Sequence, residues 1–185
     1  MDEKIDQFER AALITALIEK SAGSFGRTAL MKCLYFLQEL KGVPLGYHFS
    51  LYTYGPFDSD VLNDLKLAER MGAVESQLFQ FSSGHGYELR PLDTKKLLSR
   101  AEELVSRYKD KIDWVAGEFG ARSALDLEMA STLVYVDRSA AEDGASISLR
   151  DLVRRVHDVK PHLPTDAIEL EAKKLKEKGM IVAAA

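Results

Sequence analysis

The stretch GRTALMKCLYFLQELKGVPLGYHFSLYTYGPFDSDVLNDL, residues 26–65, decides the fold. In its first part Leu30, Cys33, Leu34, Leu37 and Leu40 recur at helical spacing, and Met31, Tyr35 and Phe36 widen the stripe. Only Arg27, Lys32, Gln38, Glu39 and Lys41 are left to face water. A helix apolar over most of its circumference sits at the centre of a core. Gly42 and Pro44 end it, and Tyr47, Phe49, Leu51 and Thr53 then alternate with His48, Ser50 and Tyr52 as a half-buried strand does. Tyr54-Gly55-Pro56-Phe57 turns the chain, and Asp58 is placed to cap the next helix.

Working outward, Ile5, Phe8, Ala11, Leu13, Ile14, Leu17 and Ile18 form the apolar face of an earlier amphipathic helix, broken after Lys20. Val61, Leu62, Leu65 and Ala68 mark a third helix that Gly72 stops. Residues 74–92 read as a hairpin around Ser82-Ser83-Gly84-His85-Gly86. Two helices, a short strand, a helix and a hairpin make a winged-helix-like first half. From Asp93, as cap, a long helix is expected to about Phe119, and another from residue 123 or 124 to Val136. The polar, small stretch 137–146 reads as a loop. A short amphipathic helix follows to Val159, Pro161 and Pro164 interrupt it, and Thr165 is placed to cap a last helix ending near Gly179. Met180-Ile181-Val182 is a candidate strand. The expected class is therefore mostly α (α+β) with a small antiparallel sheet. Its parts are a helical core over residues 1–122 and a helical subdomain over 123–185, packed on it or continuous with it as one domain.

The chain has 185 residues, 46% hydrophobic and 29% charged, enough to bury a sizeable core. Its net charge of −4 argues mildly against nucleic acid. Residues 147–185 carry 8 Lys/Arg against 6 Asp/Glu, a local +2 that is small for a DNA-binding footprint. One cysteine excludes an intramolecular disulfide. Without the basic and apolar regions of a signal peptide at the N-terminus, and with no apolar run near 18 residues, the expectation is a cytoplasmic protein away from membranes.

Reactive clusters are absent from the pattern. Cys33 lies in an apolar stripe and reads as an inert core thiol. His48, His85, His157 and His162 do not follow a metal-ligand spacing, so no metal and no cofactor is expected. The Ser82–Gly86 stretch lacks the ending of a phosphate-binding loop and the strand–helix setting of a nucleophile elbow. Glu128 interrupts an apolar helix; it reads as an outer-face residue, or as one buried against a basic partner. Arg150, Arg154, Arg155 and Lys160 form the one basic stripe, broken by Asp151 and Asp158; these four are the candidate nucleic-acid contacts. Tyr52, Tyr54 and Phe57 flank the rigid Gly-Pro turn and suit a protein interface, unless all three belong to the core.

Three further sets of residues carry a resemblance. They are Gly26-Arg27-Thr28-x-Leu30-x-Lys32-x-Leu34-Tyr35-Phe36, then Gly46-Tyr47-x-Phe49 with Tyr54-Gly55-Pro56-Phe57, then Leu127-Glu128-x-Ala130-Ser131-Thr132-Leu133-x-Tyr135 with Lys160-Pro161-His162, the closing helix and Gly179-Met180-Ile181. Together the chain resembles the YwgA-like proteins and the related Panacea domain, of which the SocA antitoxin is an example. Phe57, where Panacea domains are more often aliphatic, brings it nearer the YwgA-like branch. The resemblance implies a non-enzymatic module that binds another protein, as an antitoxin does its toxin or a proteolytic adaptor its client. It brings no catalytic residues, and it suggests Arg27 or Lys32 as the partner of Glu128. The alternative is a winged-helix DNA-binding regulator that uses the helix after Thr165 or Arg150–Arg155, with the Gly84 hairpin as its wing.

Overall fold

In the computed structural model, described over residues 5–21, 25–81, 84–144 and 146–184, helices dominate. The order is α1 (Gln7–Lys20), α2 (Arg27–Glu39), β1 (Ser50–Tyr52), β2 (Gly55–Phe57), α3 (Ser59–Arg70), β3 (Val74–Phe81), β4 (Gly84–Pro91), α4 (Lys95–Arg100), α5 (Glu102–Phe119), α6 (Ala124–Glu142), α7 (Leu149–Val159) and α8 (Thr165–Glu177). β1 pairs with β2 and β3 with β4, as two separate two-stranded sheets. The mostly helical α+β class expected from the pattern is the one observed. The chain divides into two compact units, one of residues 1–50 and 57–123, the other of residues 51–56 and 124–185.

In the first unit α2 is the centre. Every residue from Ala29 to Leu37 is buried, Lys32 included at 2% exposure, which corrects its reading as a water-facing residue. The helix is enclosed on all sides, so even its charged position is covered. Phe36 stacks on Phe119 of α5 with ring centroids 3.9 Å apart. α1 packs on α3 and α5, and β4 on α1 and α2. α1 begins with a reciprocal capping box: Asp6 accepts from the Glu9 amide at 2.8 Å, and Glu9 accepts from the Asp6 amide at 2.9 Å. Asp58 caps α3 as expected, accepting from Asp60 N–H, and its other oxygen holds His48 N–H at 2.6 Å.

Several expected elements are drawn differently. Along the expected strand Tyr47 is buried and Phe49 and Leu51 are half-buried between exposed His48, Ser50 and Tyr52, but Thr53 is exposed, and only Ser50–Tyr52 is paired. Before it, Leu45 N–H turns back to Val43 C=O at 2.8 Å and Gly46 takes φ +77°, so residues 43–47 form no ladder. The hairpin register is Leu78 opposite Tyr87 and Gln80 opposite His85, so His85 and Gly86 lie within β4 instead of in its turn. Ser82 and Ser83 fall outside the described residues. The order of elements is winged-helix-like, yet β1 does not join the hairpin. Leu89 N–H instead donates to Phe25 C=O at 2.7 Å. The long helix expected from Asp93 is two helices that meet at Ala101, and Thr94, not Asp93, occupies the cap position.

The second unit is built from α6, α7 and α8, which pack on one another. α6 runs on to Glu142 through most of the stretch read as a loop, because Asp137 and Ala140 are buried on the same face as Ala130 and Leu133. Ser148 caps α7 by accepting from Asp151 N–H. Thr165 is the first residue of α8 and makes no cap; Pro164 stands before it. Gly179 ends α8 at φ +67°, with Met180 N–H reaching back to Leu175 C=O, the left-handed closure that glycine makes at least cost. Met180-Ile181-Val182 forms no regular strand; the neighbouring Ala184 makes a single parallel bridge to Ser148.

A candidate interaction surface

The second unit holds the feature that the sequence pattern divided among unrelated roles. Lys160 ends α7, where two prolines prevent the helix from continuing, and its side chain is only 4% exposed. A buried ammonium needs partners. Its Nζ donates to the backbone carbonyls of Tyr52, at 2.9 Å, and of Thr53. The same Nζ lies 3.1 Å from Oε1 of Glu128, whose side chain is 6% exposed. His162, across the Pro161 turn, brings Nε2 to 3.2 Å from that oxygen. Oε1 thus stands at ion-pair distance from two basic groups but is not aligned with either as a hydrogen bond; the ammonium spends its directed protons on the two carbonyls. Glu128 is therefore buried and paired with Lys160, which overturns its outer-face reading. Arg27 faces Glu69 at 3.8 Å and stacks over the Tyr87 ring.

The consequence is a fixed tip. Thr53 and Tyr54 connect β1 to β2, and Gly55 takes φ +90°, a conformation that side-chain-bearing residues rarely adopt. Gly55 and Pro56 are buried, and two tip carbonyls are bonded to Lys160. Tyr52 and Tyr54 are 65% and 66% exposed. A tip whose backbone is held while two aromatic rings stand in solvent loses little ordering entropy when it binds. Phe57 is half-buried and belongs to the first unit. So two of the three expected aromatic anchors are presented to solvent together, and the reading that all three are core fails.

The basic stripe comes apart in the same way. Lys160 is buried and cannot serve a phosphate, because its protons are committed to the tip and its charge to Glu128. Arg154 pairs with Asp151 at 2.8 Å. Arg150 and Arg155 are exposed.

No family model, no curated protein and no solved structure matches the chain.

Two further polar clusters escaped the sequence reading. In the first unit Asp64, 1% exposed, accepts from Arg10 Nε at 2.6 Å and from the Tyr47 hydroxyl at 2.8 Å. Burial, and then the neighbouring carboxylate, push the Tyr47 phenol far above its ordinary range, so it stays a donor. Burial works to lower the Arg10 guanidinium, but the bond and charge of Asp64 outweigh it and raise it instead. The three groups tie α1, the segment between α2 and β1, and α3 together. In the second unit the buried Asp137 accepts two backbone amides, Val182 N–H and Ala183 N–H, each at 2.9 Å. Both aspartates sit on apolar helical stripes, Asp64 between Val61 and Ala68 and Asp137 after Leu133 and Val134. That misplacement was the available signal. Cys33 is fully buried, and burial pushes its thiol up to about 12. Among the described residues no three His, Cys, Asp or Glu side chains are grouped to hold a metal ion, and no helix is long and apolar enough to cross a membrane.

Proposed function

We propose that this protein is a non-enzymatic protein-binding module whose recognition element is the tip bearing Tyr52 and Tyr54, an antitoxin-like or adaptor-like role of the YwgA-like and Panacea type. The observation that carries the reading is the pairing of exposure with fixation. The two tyrosines are about two-thirds exposed, while the backbone between them is bonded to a buried lysine. Tyrosines are enriched among interface hot spots because a large amphipathic ring brings contact area with few rotatable bonds. A buried ion pair is a costly way to stabilise a fold, since an apolar pair of the same volume does as well or better. Its use here under a surface tip is in keeping with a demand on that tip's geometry. The kinship itself is proposed on the Gly26–Phe36, Gly46–Phe57 and Leu127–Tyr135 motifs with Lys160-Pro161-His162 and Gly179-Met180-Ile181.

The DNA-binding regulator is the weaker reading, because one of its four candidate contacts is buried and another is paired within its own helix. Affinity capture of the tagged protein from its own cell lysate, with and without nuclease, separates the two. A protein retained in stoichiometric amount through nuclease treatment supports the module. Capture that vanishes with nuclease supports the regulator.

A further inference from the structure

The segment after α8 occupies a site built for extended backbone. The chain leaves the helix at Met180, which is buried, and from Ile181 on it alternates: Ile181 and Ala183 are buried while Val182 and Ala184 are exposed. One side of the segment meets Asp137, fully buried, whose Oδ2 accepts Val182 N–H and whose Oδ1 accepts Ala183 N–H. Among the described residues these two amides are the hydrogen-bond partners of that carboxylate. Farther along, Ala184 N–H donates to Ile147 C=O at 2.8 Å, and Leu149 N–H donates to Ala184 C=O at 2.9 Å, a parallel bridge. Among the described residues, these four polar contacts all go to the backbone of the occupant. The covered side chains of the occupant are those of Met180, Ile181 and Ala183, the last of them small.

Recognition of this kind is strand addition, in which main-chain bonds give affinity and alternate pockets give specificity. We propose that Asp137 and residues 147–149 form a peptide-binding groove for an extended segment with an aliphatic residue two places before a small one, filled in cis by Met180–Ala184. This site is separate from the Tyr52–Tyr54 tip and stands without it. Because nothing in the groove depends on the occupant being covalently attached, a free peptide of the same pattern competes for it.

The test uses the full chain and a fluorescent, end-blocked peptide Met-Ile-Val-Ala-Ala. Val182→Pro deletes one of the two amides while changing an exposed side chain, so it weakens the internal occupant and leaves the groove intact. The peptide is expected to bind Val182→Pro at least about tenfold more tightly than wild type, and Asp137→Asn at least about tenfold more weakly than Val182→Pro. A peptide N-methylated at its third and fourth residues is expected not to bind. Equal affinity for wild type and Val182→Pro, or unimpaired binding by Asp137→Asn or by the methylated peptide, overturns the proposal. Should either variant fail to fold, amide exchange in the wild type decides. Excess peptide must accelerate exchange at Val182 and Ala183 about tenfold relative to α8, and no acceleration refutes the groove.

Discussion

Replacing Lys160 with methionine keeps the length and apolar stem of the side chain and removes its charge. The structure fixes what is lost. Glu128, with its side chain 6% exposed, is left as a buried carboxylate whose remaining neighbour is the half-exposed His162. Removing one partner of a buried pair costs about 3–5 kcal/mol, because the stranded charge keeps its desolvation penalty. The two tip carbonyls add little to this sum, since Tyr52 and Thr53 are exposed and water can replace the ammonium there. Urea denaturation of Lys160→Met should therefore show a loss of about 3–5 kcal/mol, a large part of an ordinary total of about 5–15 kcal/mol. In the double variant Lys160→Met/Glu128→Leu the stranded charge is gone, and most of the loss should be recovered. A coupling of at least about 2 kcal/mol is expected from the cycle. A single-variant loss below about 1 kcal/mol, or additive effects in the cycle, would refute the buried Lys160–Glu128 pairing.

The remaining predictions are of the same kind. Tyr47→Phe removes one of the two bonds to Asp64 Oδ2, and Oδ1 of that carboxylate has no hydrogen bond, so a loss of about 1–3 kcal/mol is expected in urea denaturation; a neutral result would mean water already serves Asp64. Cys33 should resist a disulfide exchange reagent at pH 8 in the folded state and react at once in guanidinium; equal rates would contradict its burial. Its folded-state value lies above the ordinary 9.0, so the neutral thiol favours the fold below pH 9, and that stability is lost as pH rises toward 12. Over that window Cys33→Ala should show a stability curve shallower by up to about 1.4 kcal/mol per pH unit. Tyr52→Ala and Tyr54→Ala should each change stability by no more than about 0.5 kcal/mol, since both rings stand in solvent; a larger loss would return them to the core.

What the sequence made legible was what local periodicity encodes. The apolar stripe of α2, the Asp58 cap, the hairpin and the break at Pro161 and Pro164 all follow from spacing, chain conformation and turn chemistry within a few residues. What failed depended on distant partners. Asp137 looked like the start of a loop because its partners, Val182 and Ala183, lie 45 and 46 residues away. Lys160 looked like a phosphate contact because the carbonyls that hold it are 108 and 107 residues away. Asp64 was passed over because Arg10 is 54 residues distant. A charged residue on an apolar stripe announces that a partner exists, but only the folded chain supplies it. The aromatic tip was legible for the converse reason: Tyr52, Tyr54 and the Gly55-Pro56 turn are neighbours in sequence, and their exposure was the one fact missing.

The most direct measurement is the amount of the captured protein partner retained by Tyr52→Ala/Tyr54→Ala relative to wild type, at equal bait and after nuclease. Loss of both rings should weaken binding by at least about 2 kcal/mol, roughly a thirtyfold drop in affinity, while the variant remains folded. Retention equal to wild type would place recognition elsewhere on the molecule and contradict the account.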